Sequence, residues 1–222
     1  MSQPRSIAIA GIHTGIGKTI VSALLCEAWQ ADYWKPVQAG SLEYSDSRQV
    51  YDLLSVPANR VHAEAVQLQM AASPHKAAAA EQRPFDFRDF IFPQTDNLLL
   101  AETAGGLLSP IDQQHTMADF IAHFDMPMVL VTRNYLGSIN HTLLCLEVIR
   151  QRGLNLLALV VNGPRDAASE DFIRSRSGDL PFIYSPELDM LSADQAATAV
   201  PDLRRQLAAA LPAYRIPLNT TI

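Results

Sequence analysis

A mostly parallel β-sheet with helices on both faces is the architecture this 222-residue sequence predicts, and three observations predict it. Short apolar runs alternate with longer segments of helical spacing, the rhythm of α/β chains whose parallel strands need crossover helices. The first apolar run ends in a glycine-bearing loop, Gly11 to Thr19, that opens a helix. No repeat, low-complexity linker or compositional break interrupts the chain, so residues 1–222 are expected to form one domain.

The elements follow in order. Ser6–Gly11 (SIAIAG) is a first strand, and Lys18–Gln30 carries Val21, Leu24, Leu25, Ala28 and Trp29 on one helical face. A second strand is expected over Tyr33–Val37, stopped by Ala39-Gly40-Ser41. Asp46–Leu54 is helical in pattern, with Asp46 placed like an N-cap or first-turn residue. Residues 57–93 are expected to leave and rejoin the sheet. They hold an Ala-rich helix (Ala77–Glu81), Pro74 and Pro84, and an aromatic cluster of Phe85, Phe87, Phe90 and Phe92 that packs beneath the sheet. Asn97–Glu102 is a strongly apolar strand. Strand Met128–Thr132, helix Ser138–Arg152, strand Leu156–Asn162, helix Ala167–Arg176, a strand near Pro181–Tyr184 and a helix near Asp202–Leu211 complete the pattern.

Composition excludes several classes. Hydrophobic residues make up 48% and charged residues 18%, and 17 basic residues against 23 acidic give a net charge of −6 with no like-charge block. Nucleic-acid binders present a basic face or stripe, so none is expected as the main partner. The longest apolar stretches, Leu154–Val161 and Met126–Val131, fall short of the roughly 20 residues that span a bilayer. No charged-then-apolar leader opens the sequence, and two cysteines, Cys26 and Cys145, cannot build a disulfide framework. A reduced, cytoplasmic protein is the expectation. Only three of the basic residues are lysines: Lys18, Lys35 and Lys76.

The chemistry concentrates at strand ends. A loop closing in Gly17-Lys18-Thr19 at a helix N-terminus offers backbone N–H groups and the positive end of the helix dipole to an anion. The lysine adds a mobile charge for terminal phosphates, and the threonine hydroxyl can ligate Mg²⁺. Five residues, not the usual four, separate Gly11 from Gly17. Glu102 ends an apolar strand, where ligands of parallel sheets gather, and can hold Mg²⁺ beside phosphates; pairing with a neighbouring arginine is the alternative. Asp46 is a second metal candidate, explained equally well as an N-cap. Lys35, in Trp-Lys-Pro-Val, is either a charge for a transferring phosphoryl group or a solvated strand-end lysine.

Together these segments resemble the dethiobiotin synthetase family. The resemblance rests on Gly11-x-x-Thr14-x-x-Gly17-Lys18-Thr19, Lys35-Pro36-Val37, Ser73-Pro74-His75, Glu102-x-Ala104-Gly105-Gly106, Gly137-Ser138-Ile139-Asn140-His141 and Asn162, in the family's order over residues 5 to about 190. It implies a P-loop fold and an ATP- and Mg²⁺-dependent ligase that joins CO₂ to 7,8-diaminopelargonic acid, phosphorylates the carbamate and closes a cyclic urea. By matching motif, Gly15, Ile16, Gly17, Lys18, Thr19 and Ile20 would wrap the ATP phosphates, with Thr103, Ala104 and Gly105 beside them. Lys18 and Lys35 would stabilise the carbamate and the phosphoryl group in transit, and Thr14 would approach the diamine. Thr19, Asp46 and Glu102 would organise Mg²⁺. Asn162 and Gly163 would meet the adenine edge, with Pro186, Glu187 and Leu188 lining the base pocket. The resemblance also implies a homodimer whose substrate pocket, in the region of Gly137, Ser138 and Asn140, is shared across the interface.

Some positions depart from the family pattern. Ala39 stands where a Ser or Thr hydroxyl is usual, with Ser41 nearby but out of register. Thr103 follows Glu102 where Gly is usual, His13 and Gly15 replace acidic or polar loop residues, and Phe172 stands for an aromatic that often carries a hydroxyl. These departures keep two alternatives open: a related ATP-dependent amide-forming or carboxylating ligase with another acceptor, and a switch or partitioning ATPase.

Overall fold

Apolar strands joined by helix-length connections bury both faces only in a parallel sheet covered on each side. The computed structural model, which describes residues 5–188 and 192–214, has that arrangement. Its strands are β1 (Ser6–Gly11), β2 (Asp32–Trp34), β3 (Val37–Ala39), β4 (Val61–His62), β5 (Val66–Leu68), β6 (Leu99–Glu102), β7 (Met128–Thr132), β8 (Leu156–Asn162) and β9 (Phe182–Ser185). The helices are α1 (Lys18–Trp29), α2 (Asp46–Leu53), α3 (Pro74–Ala80), α4 (Met117–His123), α5 (Ser138–Arg152), α6 (Ala167–Ser177) and α7 (Ala193–Ala210). The main sheet has the order β4-β2-β6-β1-β7-β8-β9, and every pair is parallel. β3 and β5 form a separate parallel pair.

Right-handed crossovers send α1 and α2 to one face, where α7 joins them, while α4, α5 and α6 cover the other. The core is continuous through both layers: β7 is buried at every residue, and Leu24, Leu25, Leu203 and Leu207 close over the sheet. No helix of the described residues is long and apolar enough to cross a membrane. Cys26 is buried on α1, where burial pushes its thiol well up, and Cys145 is half-buried on α5; neither is in a disulfide.

The chain leaves β1 for β2 on one side, and leaves β6 across β1 for β7 on the other. Neighbouring strands whose connections diverge open a crevice above their carboxyl ends, so the fold itself sets the loop after β1 beside the end of β6.

The structure redraws several expected elements. The strand expected over 33–37 breaks at Lys35-Pro36, because proline has no N–H to continue the ladder; β2 stays in the main sheet and β3 turns away to pair with β5. Ser45, not Asp46, caps α2, its hydroxyl accepting from the Arg48 amide. Two of the short strands, β4 and β5, carry too few residues for periodicity to mark them. α3 begins at Pro74, a first-turn position that needs no N–H. α4 went unread, although Asp119 accepts from both the amide and the hydroxyl of Thr116 at its start. α7 is 18 residues long and runs through Pro201, since its buried stripe of Ala196, Val200, Leu203 and Leu207 continues across that residue. The aromatic cluster packs under β2, with Phe92 4.8 Å from Trp34 and 4.9 Å from Phe124 beyond α4.

Candidate active site

The loop after β1 is shaped by its glycines and by the strand beside it. Gly17 has φ +88°, and a Cβ there would lie 2.1 Å from Asn162 Nδ2. Only glycine fits such a left-handed, crowded start to a helix. Asn162, ending β8, donates to the Ile16 carbonyl at 3.0 Å and accepts from Ser185 at 3.2 Å, so it props the loop. The first amides of α1 are thereby turned to the crevice, in the geometry that binds phosphate oxygens.

Glu102 is the centre of the crevice. It is 1% exposed, and each of its oxygens accepts two hydrogen bonds. Oε2 takes the hydroxyls of Ser22 (2.9 Å) and Tyr33 (3.0 Å); Oε1 takes Thr19 Oγ1 (3.2 Å) and Lys35 Nζ (2.9 Å). The partner of this strand-end carboxylate is therefore a lysine, not an arginine. Lys35, at the break between β2 and β3, is 3% exposed and also lies 2.5 Å from Asp46 Oδ2. Asp46 sits in the first turn of α2, so Ser45 holds the cap and leaves this carboxylate for the crevice.

Burial acts on the two lysines with opposite results. Lys18 is brought down to about 8 from the ordinary 10.5, chiefly by desolvation, with the charge of Lys35 adding to it against the pull of Glu102 and Asp46. Desolvation also presses Lys35 downward, but contact with Glu102 and Asp46 outweighs it and the net shift is upward. Tyr33 is pushed well above its usual range by burial and by Glu102, and so stays a donor.

A cleft of about 690 Å³ collects Thr14, Gly15, Gly17, Lys18, Thr19, Ile20, Lys35, Asp46, Glu102, Ala104 and Gly105, all expected at the site. Its far wall is built by the end of β3, the turn after it and the segment leading from β5 into α3: Ala39, Ser41, Ala71, Ala72, Ser73 and Pro74. Ile16 and Thr103 are buried behind it, the Thr103 hydroxyl donating to the Ile9 carbonyl. Asn162, Gly163, Pro186, Glu187 and Leu188 do not line this cleft; they lie on the β8–β9 side of the loop, where Glu187 pairs with Arg133. Gly137 (φ +102°) opens α5, Ser138 is buried, and His141 stacks on His13 at 5.9 Å, joining the start of α5 to the loop. Phe172 is exposed on α6.

Ser22 and Tyr33 were not read from the sequence. Ser22 follows Thr19 by one helical turn, and Tyr33 lies in register with Leu100, two residues before Glu102; the first signal was available, the second needed the strand pairing. A smaller hollow of about 380 Å³ lies across α3, where Asp86 pairs with Arg88 and Asp112 with His115.

The donor set fits a hard divalent cation: two carboxylates and a threonine hydroxyl converge where an ammonium already sits. No cluster of three His, Cys, Asp or Glu occurs among the described residues, so such an ion would take its remaining ligands from phosphates and water, as Mg²⁺ does.

A phosphate-binding loop at a topological switch point, with paired lysines and carboxylates, defines a nucleotide-binding protein of the P-loop class. Residues 5–193 match the family model described as an AAA domain. Two solved structures share the fold: the septum site-determining protein MinD with Mg-ADP from Pyrococcus horikoshii (TM-score 0.56, 17% identity, 96% of this chain and 99% of that one) and MinD from Pyrococcus furiosus (0.54, 18%, 93% and 99%). Sequence relatives are more specific. The chain is 42% identical over 174 residues to the ATP-dependent dethiobiotin synthetase BioD of Paramagnetospirillum magneticum, covering 78% of this chain and 84% of that protein. It is 46% identical over 161 residues to BioD of Chlamydia pneumoniae, 72% of each. Over 195 residues it is 43% identical to the biotin biosynthesis bifunctional protein BioCD of Bordetella avium, matching 86% of this chain and 41% of that longer protein. The chain belongs to the ATP-dependent dethiobiotin synthetase family.

Proposed function

We propose that the cleft forms dethiobiotin from 7,8-diaminopelargonic acid, CO₂ and ATP, and that residues 1–222 act as one ATP-binding domain. The observation that carries this reading is the convergence of Lys18, Thr19, Lys35, Asp46 and Glu102 on one side of a cleft whose other side is small and weakly polar. An amine of the substrate takes up CO₂ as a carbamate. The carbamate oxygen attacks the γ-phosphorus of ATP, ADP leaves, and the second amine then displaces phosphate from the carbonyl to close the urea.

The protein's part is positioning and charge stabilisation, the main contributions to phosphoryl transfer. Gly15, Ile16, Gly17 and Ile20 present backbone amides to the phosphates. Lys18 meets the terminal phosphates, and Lys35 meets the carbamate and the phosphoryl group in transit. Thr14, at the cleft mouth near Gly105, orients the diamine. Thr103, Ala104 and Gly105 shape the phosphate side, while Asn162, Gly163, Pro186, Glu187 and Leu188 hold the base on the β8–β9 side. Thr19, Asp46 and Glu102 would hold Mg²⁺, whose charge offsets the repulsion between an anionic acceptor and a polyanionic nucleotide.

The working unit is a homodimer in the cytoplasm. Supporting the dimer, Tyr135 and Leu136 just before α5, Leu144 on it and Phe172 on α6 expose apolar surface in the elements that carry Gly137, Ser138 and Asn140. The test is product formation: purified protein with ATP, Mg²⁺, bicarbonate and 7,8-diaminopelargonic acid yields dethiobiotin by mass spectrometry. ATP consumption with another acceptor and no dethiobiotin would transfer the assignment to a different ligase.

A further inference from the structure

Two of the three side chains suited to a divalent cation, Asp46 and Glu102, already share a cation of the protein's own. Lys35 Nζ lies 2.5 Å from Asp46 Oδ2, 2.9 Å from Glu102 Oε1 and 3.4 Å from the Thr103 carbonyl, and Thr19 donates to that same Oε1. Mg²⁺ takes its oxygens at about 2.0–2.1 Å, so an ion held by these carboxylates occupies the space of the ammonium. Two cations cannot share it, by volume or by charge.

Which group yields is also decided by the structure. Glu102 is fixed, because Ser22 and Tyr33 pin its Oε2 from the core. Lys35 is carried on a flexible four-carbon stem, and beyond its contacts to Asp46, Glu102 and the Thr103 carbonyl it lines the cleft toward which it can swing.

Resting on the reading of this cleft as an ATP- and Mg²⁺-binding site, we propose that Lys35 is the resident counter-cation of the metal-free site and is exchanged for Mg²⁺ on nucleotide binding. The exchange keeps the buried Glu102 and the partly buried Asp46 compensated throughout, since an unpaired buried charge is strongly unfavourable. It also orders events: the ammonium reaches the acceptor only after the metal has taken its place. Lys35 is thus a link between metal loading and acceptor activation as well as a charge in the cleft.

The experiment measures metal binding without turnover. Mn²⁺ is titrated into the nucleotide-free, full-length protein and free Mn²⁺ is read by electron paramagnetic resonance, for wild type, Lys35→Gln and Lys35→Arg. Lys35→Gln is expected to bind Mn²⁺ about tenfold tighter or more, within the span typical of coupled sites, while Lys35→Arg, which keeps a cation there, stays near wild type. Equal or weaker binding by Lys35→Gln overturns the exchange.

A measurement on unaltered protein covers the case in which the variants fold poorly. With ¹⁵N-lysine labelling the chain gives only three side-chain ammonium signals, from Lys18, Lys35 and Lys76. The Lys35 signal, protected without metal, should shift or vanish on adding Mg²⁺ with a non-hydrolysable ATP analogue. An unchanged signal while nucleotide binds overturns the exchange alone; failure of Mg²⁺ and nucleotide to bind at all overturns both the exchange and the functional reading.

Discussion

Lys18 and Lys35 occupy one crevice in different electrostatic states, and Lys18 sets a pH dependence that can be measured. Its value of about 8 in the folded protein lies below the ordinary 10.5, so burial of its charge weighs on stability fully below pH 8. That burden lifts as pH rises from 8 toward 10.5, where the unfolded chain still binds the proton and the folded one does not. Phosphate oxygens beside the ammonium favour its charged form again. Nucleotide binding at pH 9 is therefore expected to take up close to one proton, and affinity should fall as pH climbs above 8. Calorimetry in two buffers of different ionisation enthalpy checks this; no proton uptake would show that Lys18 stays clear of the phosphates. At this scale the sequence exposed the lysines, Thr19 and Glu102 through motif spacing. It hid the donors behind Glu102, because Tyr33 reaches that carboxylate across a strand pairing that no local pattern records.

At the scale of elements, the legible parts were those buried on both faces. β1, β7 and β8 are uninterrupted apolar runs, and α5 has the bounds expected of it. What failed was decided by single residues or by distant packing: Pro36 divides β2 from β3, and α7 crosses Pro201 because its buried stripe outweighs one lost amide bond. The junction of β1 and α1 is the most constrained of these elements. Gly17→Ala puts a methyl on Asn162 and leaves a non-glycine residue at φ +88°, a conformation costing about 1–2 kcal/mol. We expect this variant to melt earlier and to lose binding of a fluorescent ATP analogue. Adding Asn162→Ala removes the clash but leaves the backbone strain and takes away the prop on the Ile16 carbonyl, so binding of the analogue should not return. Full recovery by the second change would mean that crowding alone requires the glycine.

For the whole molecule, the exposed apolar residues before α5, on it and on α6 make the strongest demand. Leu136 is fully exposed and Leu144 more than half so, apolar surface of the kind that the proposed subunit contact would cover. Leu136→Asp combined with Leu144→Asp is expected to give monomers by sedimentation. It should raise the KM for the diamine and leave nucleotide affinity unchanged; an unaltered sedimentation coefficient would place the subunit contact elsewhere. Exposure of this kind is not written in a motif, since a leucine before a helix looks the same in sequence whether it is covered or bare. The break at Lys35-Pro36 has a different outcome at this scale. It hangs the far wall of the cleft on a small sheet of its own, β3 with β5, outside the strands that carry the phosphate loop and Glu102. Insertions, deletions and replacements in that wall need not disturb the register of the β1–β6 pair. The fold thus lets one wall of the cleft diverge while the phosphate loop and Glu102 keep their places.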